Sequence, residues 1–153
     1  MFKEFVEKKR YSFHEGFDDW RDAVKAACAP LIADGTCEDL YVNEIIKKVE
    51  ELGPYIVIAP NICIPHAQEG LGVHDTAICF MKTEKPVHFD PNDPEKDARL
   101  FFVLASVNNA VHMDNLMAMS EACSNEDFVA KLLEVKTPEE LAKMDDVRAA
   151  MEE

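Results

Sequence analysis

Nowhere does the chain carry an apolar run approaching the ~20 residues that a bilayer-spanning helix needs. Its first eleven residues, MFKEFVEKKRY, hold too many charges for a secretory leader, and the expected location is cytoplasmic. Positive charge is scarce: 16 Lys and Arg stand against 30 Asp and Glu, for a formal net charge of −14. Such a field repels nucleic acid and anionic membrane surfaces, and it suits a basic protein partner or plain solubility. Cysteine pairing is missing as well. The five cysteines (Cys28, Cys37, Cys63, Cys79, Cys123) are odd in number, scattered, and contain no C-x-x-C pair, which fits reduced thiols packed as small hydrophobes. There are no internal repeats, low-complexity tracts or long linkers.

What remains is one domain's worth of sequence, 153 residues with 48% hydrophobic content, enough to bury a real core. Phe17, Trp20, Val24, Cys28 and Leu31 recur at helical spacing and predict a helix over 17–33, kinked or broken in its last turn by Pro30 and ended by Asp34-Gly35. Thr36 with Asp39 resembles a capping box ahead of a second helix with Tyr41, Ile45, Val49 and Leu52 on one face. Gly53-Pro54 stops it. Extended segments follow at 55–59, 76–82 and 86–89, and a loop at 90–94. Residues 99–105, apolar at nearly every position, read as a central strand buried on both faces. Asn108 or Asn109 caps a helix to about Cys123, Ser124 with Asp127 opens another through Val135, and Thr137-Pro138-Glu139-Glu140 opens a short terminal one. The expected fold is α/β, a single mixed β-sheet flanked by helices on both faces.

Of five histidines, three have little to recommend them as sites. His14 lies in a polar lead-in, His74 in a loop, and His88 alternates onto a solvated face between Val87 and Phe89. His112 follows the buried strand and falls in the first turn of the next helix, where strand ends and helix N-termini favour anions. His66 follows Pro65 at the end of an apolar extended run, with Ala67 and then Gly70 and Gly72 leaving the ring uncrowded. An imidazole is largely unprotonated near neutral pH, so it can act as a nucleophile without a strong base. Covalent catalysis then asks for one exposed nitrogen and one held by a partner. A competing reading takes Cys63 and His66 as a C-x-x-H zinc pair completed by His112 or Cys79, but zinc sites usually show two tight pairs. Cys63 itself sits in an apolar run and is expected to be buried rather than a reactive thiol.

The run GPYIVIAP, followed by ICIPHA, strongly resembles the EIIA components of the bacterial phosphoenolpyruvate-dependent sugar phosphotransferase system. Within the mannitol/fructose-type superfamily it is most similar to the ascorbate branch, with His112 and Leu116 agreeing downstream and the likeness running from about residue 17 to 144. The resemblance implies a sandwich-type EIIA domain and a histidine phosphotransferase. His66 would take a phosphoryl group on Nε2 from the carrier protein HPr and pass it to a cysteine of EIIB. His112 would donate to the phosphoryl oxygens. It implies no metal and no other cofactor, and only an indirect link to the membrane component EIIC. Positioning and charge stabilisation suffice for transfer from an already activated phosphoramidate. Ile62, Ile64, Leu71, Val73 and Met113 are candidates for an apolar docking ring, with Ile62 and Ile64 better placed as core.

Three positions depart from the family pattern. Glu50 and Glu51 stand where mannitol-type relatives carry an Arg-Glu pair, leaving Lys47 or Lys48 as nearby cations. Gln68 replaces a common arginine, and Asn108 a common aspartate. A free-standing EIIA-like phosphorylation sensor is the alternative within the same chemistry.

Overall fold

The computed structural model describes residues 1–68 and 71–152, so Gly70 lies outside the described residues. One five-stranded mixed sheet organises the described residues, in the order β1-β4-β5-β3-β2. Its strands are β1 (Tyr11–His14), β2 (Val57–Ala59), β3 (Asn61–Cys63), β4 (Ala77–His88) and β5 (Asp97–Ala105). β4 and β5 are antiparallel, whereas β1 runs parallel to β4 and β3 parallel to β5. The helices are α1 (Phe2–Glu7), α2 (Trp20–Ala33), α3 (Asp39–Leu52), α4 (Asn109–Ala122), α5 (Glu126–Leu133), α6 (Pro138–Ala142) and α7 (Met144–Met151).

Strand periodicity creates two cores from one sheet. Along β5, Ala98, Phe101, Val103 and Ala105 face a core shared with α2 and α3. The alternate residues Leu100, Phe102 and Leu104 face a second core with α1 and the C-terminal helices. This accounts for the unbroken apolar run of the strand, which is buried on both sides as its sequence predicts. Segments 76–82 and 86–89, expected as separate strands, are one long β4 with an irregular register between Lys82 and Val87.

The helix ends differ from expectation in instructive ways. α2 runs unbroken through Pro30, which lies near its end and forfeits a single backbone bond while Ala27, Cys28 and Leu31 hold that turn in the core. The capping box at Thr36 does not form: Glu38 is the N-cap residue without a side-chain bond, and Thr36 is drawn back to Asp34, its hydroxyl donating at 2.5 Å. Leu52 is 69% exposed rather than part of the buried face of α3. Asn125, not Ser124, caps α5. Thr137 caps α6 as expected, accepting from the Glu140 N–H at 3.1 Å. α1, β1 and α7 were not singled out from the sequence. Phe2 and Phe5 of α1 are nevertheless core residues, edge-on to each other, with Phe2 edge-on to Phe80 and Phe5 stacked on it.

Strand direction sets the location of the site. The C-terminal ends of β3 and β5 and the start of β4 lie at the same end of the sheet, since Ala77 pairs with Ala105. The segment after β3 and the helix after β5 therefore meet there.

Candidate functional site

His66 and His112 meet at this end, their ring centroids 5.6 Å apart and planes tilted by 51°. They arrive from different elements, His66 from the segment leaving β3 and His112 from the first turn of α4. The His66 ring is half-buried and His112 is buried.

The orientation of His66 is fixed within its own segment. Its Nδ1 lies 2.6 Å from the Ile64 carbonyl oxygen. A carbonyl only accepts, so Nδ1 is the protonated nitrogen, and in the neutral ring the lone pair is on Nε2. Burial holds the imidazole below its usual pKa; the Ile64 bond opposes that and the facing His112 adds to it. Near neutrality His66 is therefore an uncharged ring with one nitrogen committed as a donor and the other available as a nucleophile. The Tyr55 ring packs edge-to-face with it, centroids 5.3 Å apart and planes at 84°.

α4 presents His112 but not a free helix terminus. Asn108 is the N-cap, and its side-chain oxygen accepts from Ala110 N–H at 2.9 Å and Val111 N–H at 3.2 Å. Two amides that an anion would otherwise engage are already satisfied. The His112 N–H bonds back to the Asn108 carbonyl at 2.9 Å. The side chain of His112, rather than the helix end, is thus the stronger donor candidate for a group on His66.

The other candidates separate cleanly. His74 and His88 are exposed and paired with Glu38 at 2.7 Å and Asp97 at 2.8 Å, while His14 is exposed at the end of β1. Cys63 is fully buried in the core shared with α2 and α3, its thiol pushed well up by desolvation. Among the described residues, no three His, Cys, Asp or Glu side chains are grouped so as to hold a metal ion. Of the expected apolar ring, Ile62, Ile64 and Val73 are core residues, whereas Leu71 and Met113 are exposed. Val107, Val111 and Met117 join these two as exposed apolar side chains, three of the five lying on α4. Glu50 is bonded by Arg21 at 3.5 Å, and Lys48 lies 3.9 Å from Glu44.

Two residues of the site were not singled out from the sequence. Tyr55 donates its hydroxyl to the His66 carbonyl at 2.5 Å. Tyr41, buried on α3, accepts from the Ala67 N–H at 3.2 Å and donates to the Leu104 carbonyl. Helical periodicity marks Tyr41 only as core, and Tyr55 reads as the start of a strand. The Gly-Pro ahead of Tyr55 was the available signal, since it turns the chain there.

Comparison with known proteins identifies the family and the fold. The family described as "Phosphoenolpyruvate-dependent sugar phosphotransferase system, EIIA 2" matches residues 4–144. The ascorbate-specific PTS system EIIA component of Mycoplasma pneumoniae is 33% identical over 118 residues, covering 77% of this chain and 73% of that protein. Its counterpart in Escherichia coli K12 is 29% identical over 144 residues, 92% of each chain. The crystal structure of a PTS IIA domain from Streptococcus pyogenes superposes with a TM-score of 0.84 at 25% identity, covering 97% of this chain and 96% of that one. With the sheet order, the helices on both faces and the motif around His66 in place, this chain belongs to the EIIA type 2 family of the phosphoenolpyruvate-dependent sugar phosphotransferase system.

Proposed function

We propose that this chain is the histidine phosphoryl carrier of a sugar uptake system. His66 accepts the group from phospho-HPr at Nε2 and hands it to a cysteine of EIIB. The observation that carries this reading is the pairing of His66 with His112 at 5.6 Å, with the His66 Nδ1 committed to the Ile64 carbonyl. In the accepting step the Nε2 lone pair forms an N–P bond as the N–P bond of the donor histidine breaks, its electrons returning to the donor ring. In the onward step a cysteine thiolate displaces the group and returns the lone pair to His66. His112 is the donor to the phosphoryl oxygens, in a setting where burial strengthens a hydrogen bond.

The partners dock on the exposed apolar residues of α4, with Val111 and Met113 adjoining His112. The chain's net charge of −14 favours a basic donor face. Transport of an ascorbate-like substrate is supported by the similarity to ascorbate-specific relatives. The protein works in the cytoplasm; among the described residues no helix is long and apolar enough to cross a membrane.

The test is intact-mass spectrometry after mixing the protein with phosphoenolpyruvate, enzyme I and HPr. An acid-labile gain of one phosphoryl group, absent from His66→Ala, is expected. No gain, with both donors active on a control EIIA, overturns the reading.

A further inference from the structure

The backbone around His66 contains a substitution of side chain for ladder. β3 and β5 are parallel, and their pairing continues beyond Cys63, because the Leu104 N–H donates to the Pro65 carbonyl at 3.0 Å. In a parallel ladder the residue that donates to Pro65 would also accept from the N–H of Ala67, two residues further on. That second bond is not made directly. The Tyr41 hydroxyl stands between the two groups, accepting from Ala67 N–H at 3.2 Å and donating to the Leu104 carbonyl. One ladder bond has become a relay of two, and the strand is wedged away from β5 just where His66 leaves the sheet.

The peptide group joining His66 to Ala67 is consequently held at both polar ends by phenols. Tyr41 takes its N–H, and Tyr55 donates to its carbonyl at 2.5 Å. The two tyrosines come from unrelated places, α3 and the turn before β2. Together with the bond from Nδ1 to Ile64, they leave the His66 side chain little freedom about its backbone. Desolvation pushes the Tyr55 hydroxyl up to about 12 and raises that of Tyr41 as well, so both remain protonated donors across the range in which histidine titrates.

We propose that Tyr41 and Tyr55 are positioning residues for phosphoryl transfer: Tyr41 wedges the His66 segment out of the sheet, and Tyr55 locks the emerged peptide so that Nδ1 stays on the Ile64 carbonyl and Nε2 faces the donor. The rate consequence rests on the carrier reading given above; the tautomer consequence does not. Holding a nucleophile in a reactive orientation is a recognised source of rate, and misplacement by about 1 Å is costly.

The chain offers its own control, because it has three tyrosines and the third, Tyr11, lies on β1 and packs against Phe13. Tyr55→Phe and Tyr11→Phe delete the same atom, one at the clamp and one elsewhere. The full chain is examined by 15N NMR of the histidine side chains at pH 7.5, and by single-turnover phosphorylation over a range of phospho-HPr concentrations. In the wild type, His66 shows the Nδ1–H tautomer. Tyr55→Phe is expected to give a mixture of tautomers and a maximal rate about 5- to 10-fold lower, the size of one lost hydrogen bond, at an unchanged half-saturating donor concentration. Tyr11→Phe changes neither. Tyr41→Phe, if it folds, shifts the tautomer in the same direction. A His66 tautomer identical in wild type and Tyr55→Phe overturns the proposal, as does an equal rate loss in Tyr11→Phe. Should the wild type take no phosphoryl group, the carrier reading falls, and the tautomer comparison still decides the clamp.

Discussion

His66 and His112 face each other with ring centroids 5.6 Å apart from independently anchored backbones, the His66–Ala67 peptide held by the Tyr55 and Tyr41 hydroxyls and His112 by its N–H to the Asn108 carbonyl. Each ring can therefore be removed without displacing the backbone that holds the other. If His66 is the carrier, as proposed, His66→Ala is expected to abolish phosphorylation, because the proposed nucleophilic nitrogen is gone. His112→Ala is expected still to accept the group but to pass it on more slowly, by about 100- to 1000-fold, the range seen when one donor to a developing charge is lost. Radiolabel transfer from phospho-HPr and then to EIIB separates the two steps. Label appearing on another histidine in His66→Ala would refute the site.

The depressed pKa of His66 has a consequence for stability against pH. Its folded value lies below the unfolded value of 6.5, chiefly because burial disfavours the charged ring. Between those two values the unfolded chain binds more protons, so stability rises with pH through this window and is flat above 6.5 as far as this group is concerned. The contribution is lost as pH falls through the folded value. Urea unfolding of the wild type and His66→Asn, at steps from pH 5 to pH 8, checks the sign. The wild type should lose stability on acidification more steeply than the variant. A steeper loss in His66→Asn would show that the ring is stabilised as imidazolium.

That His66 and His112 stand out from the other histidines was legible in the sequence, because each sits at a change of regime. His66 ends an apolar run behind a proline, and His112 opens a helix after a strand buried on both faces. The mixed sheet followed from the same alternation of short apolar runs with helical periodicity. α1 and β1 were not legible. MFKEFVEKKRY is dense in charge, yet only Phe2 and Phe5 need to be buried for the short helix to close one core, and that burial is supplied by Phe80, Phe102 and Phe128 from far along the chain. The tyrosine clamp was hidden for a related reason. Nothing local distinguishes a tyrosine that fills a core from one whose hydroxyl reaches a carbonyl 63 residues away and replaces a ladder bond there.

Gly72 ties the segment after His66 to the start of α3. Its carbonyl accepts from Glu38 N–H at 2.8 Å, and its φ of +69° places it in the left-handed region. A Cβ there would lie 2.9 Å from the backbone nitrogen of Tyr41 and 3.1 Å from the Cβ of Leu40. Since that nitrogen belongs to a helix, it cannot simply move aside. Gly72→Ala is expected to cost at least about 2 kcal/mol, from unfavourable φ and the close approach together. Because the displaced helix carries Tyr41, the variant should also slow phosphorylation. Denaturant unfolding measures the first effect, and an unchanged midpoint would contradict the geometry.

Lys82 reaches the solvent-excluded interior of the second core side with a side chain that is 0% exposed, and its Nζ lies 3.0 Å from Glu84 Oε1. Glu84 is 46% exposed, and its other oxygen is 3.9 Å from Arg99 Nη2. The bond from Lys82 holds the Glu84 carboxyl below its usual pKa. Removing the two partners should have opposite consequences. Glu84→Gln leaves a buried ammonium with a weaker acceptor and is expected to cost about 1–2 kcal/mol, the value of a charge-assisted bond at a partly solvated site. Lys82→Met keeps the buried stem and deletes the ion, and replacing a buried charge by a well-packed apolar side chain is commonly neutral or stabilising, so its stability should lie within about 1 kcal/mol of the wild type or above it. Acidification provides a second check. The depressed Glu84 value means the pair contributes above the ordinary 4.5 and is lost as pH falls through the folded value, so the gap between wild type and Glu84→Gln should close on acidification. Thermal unfolding of the three proteins at pH 7 and pH 3.5 decides it, and a Lys82→Met protein less stable than Glu84→Gln would mean that the ammonium, not the stem, holds that part of the sheet together.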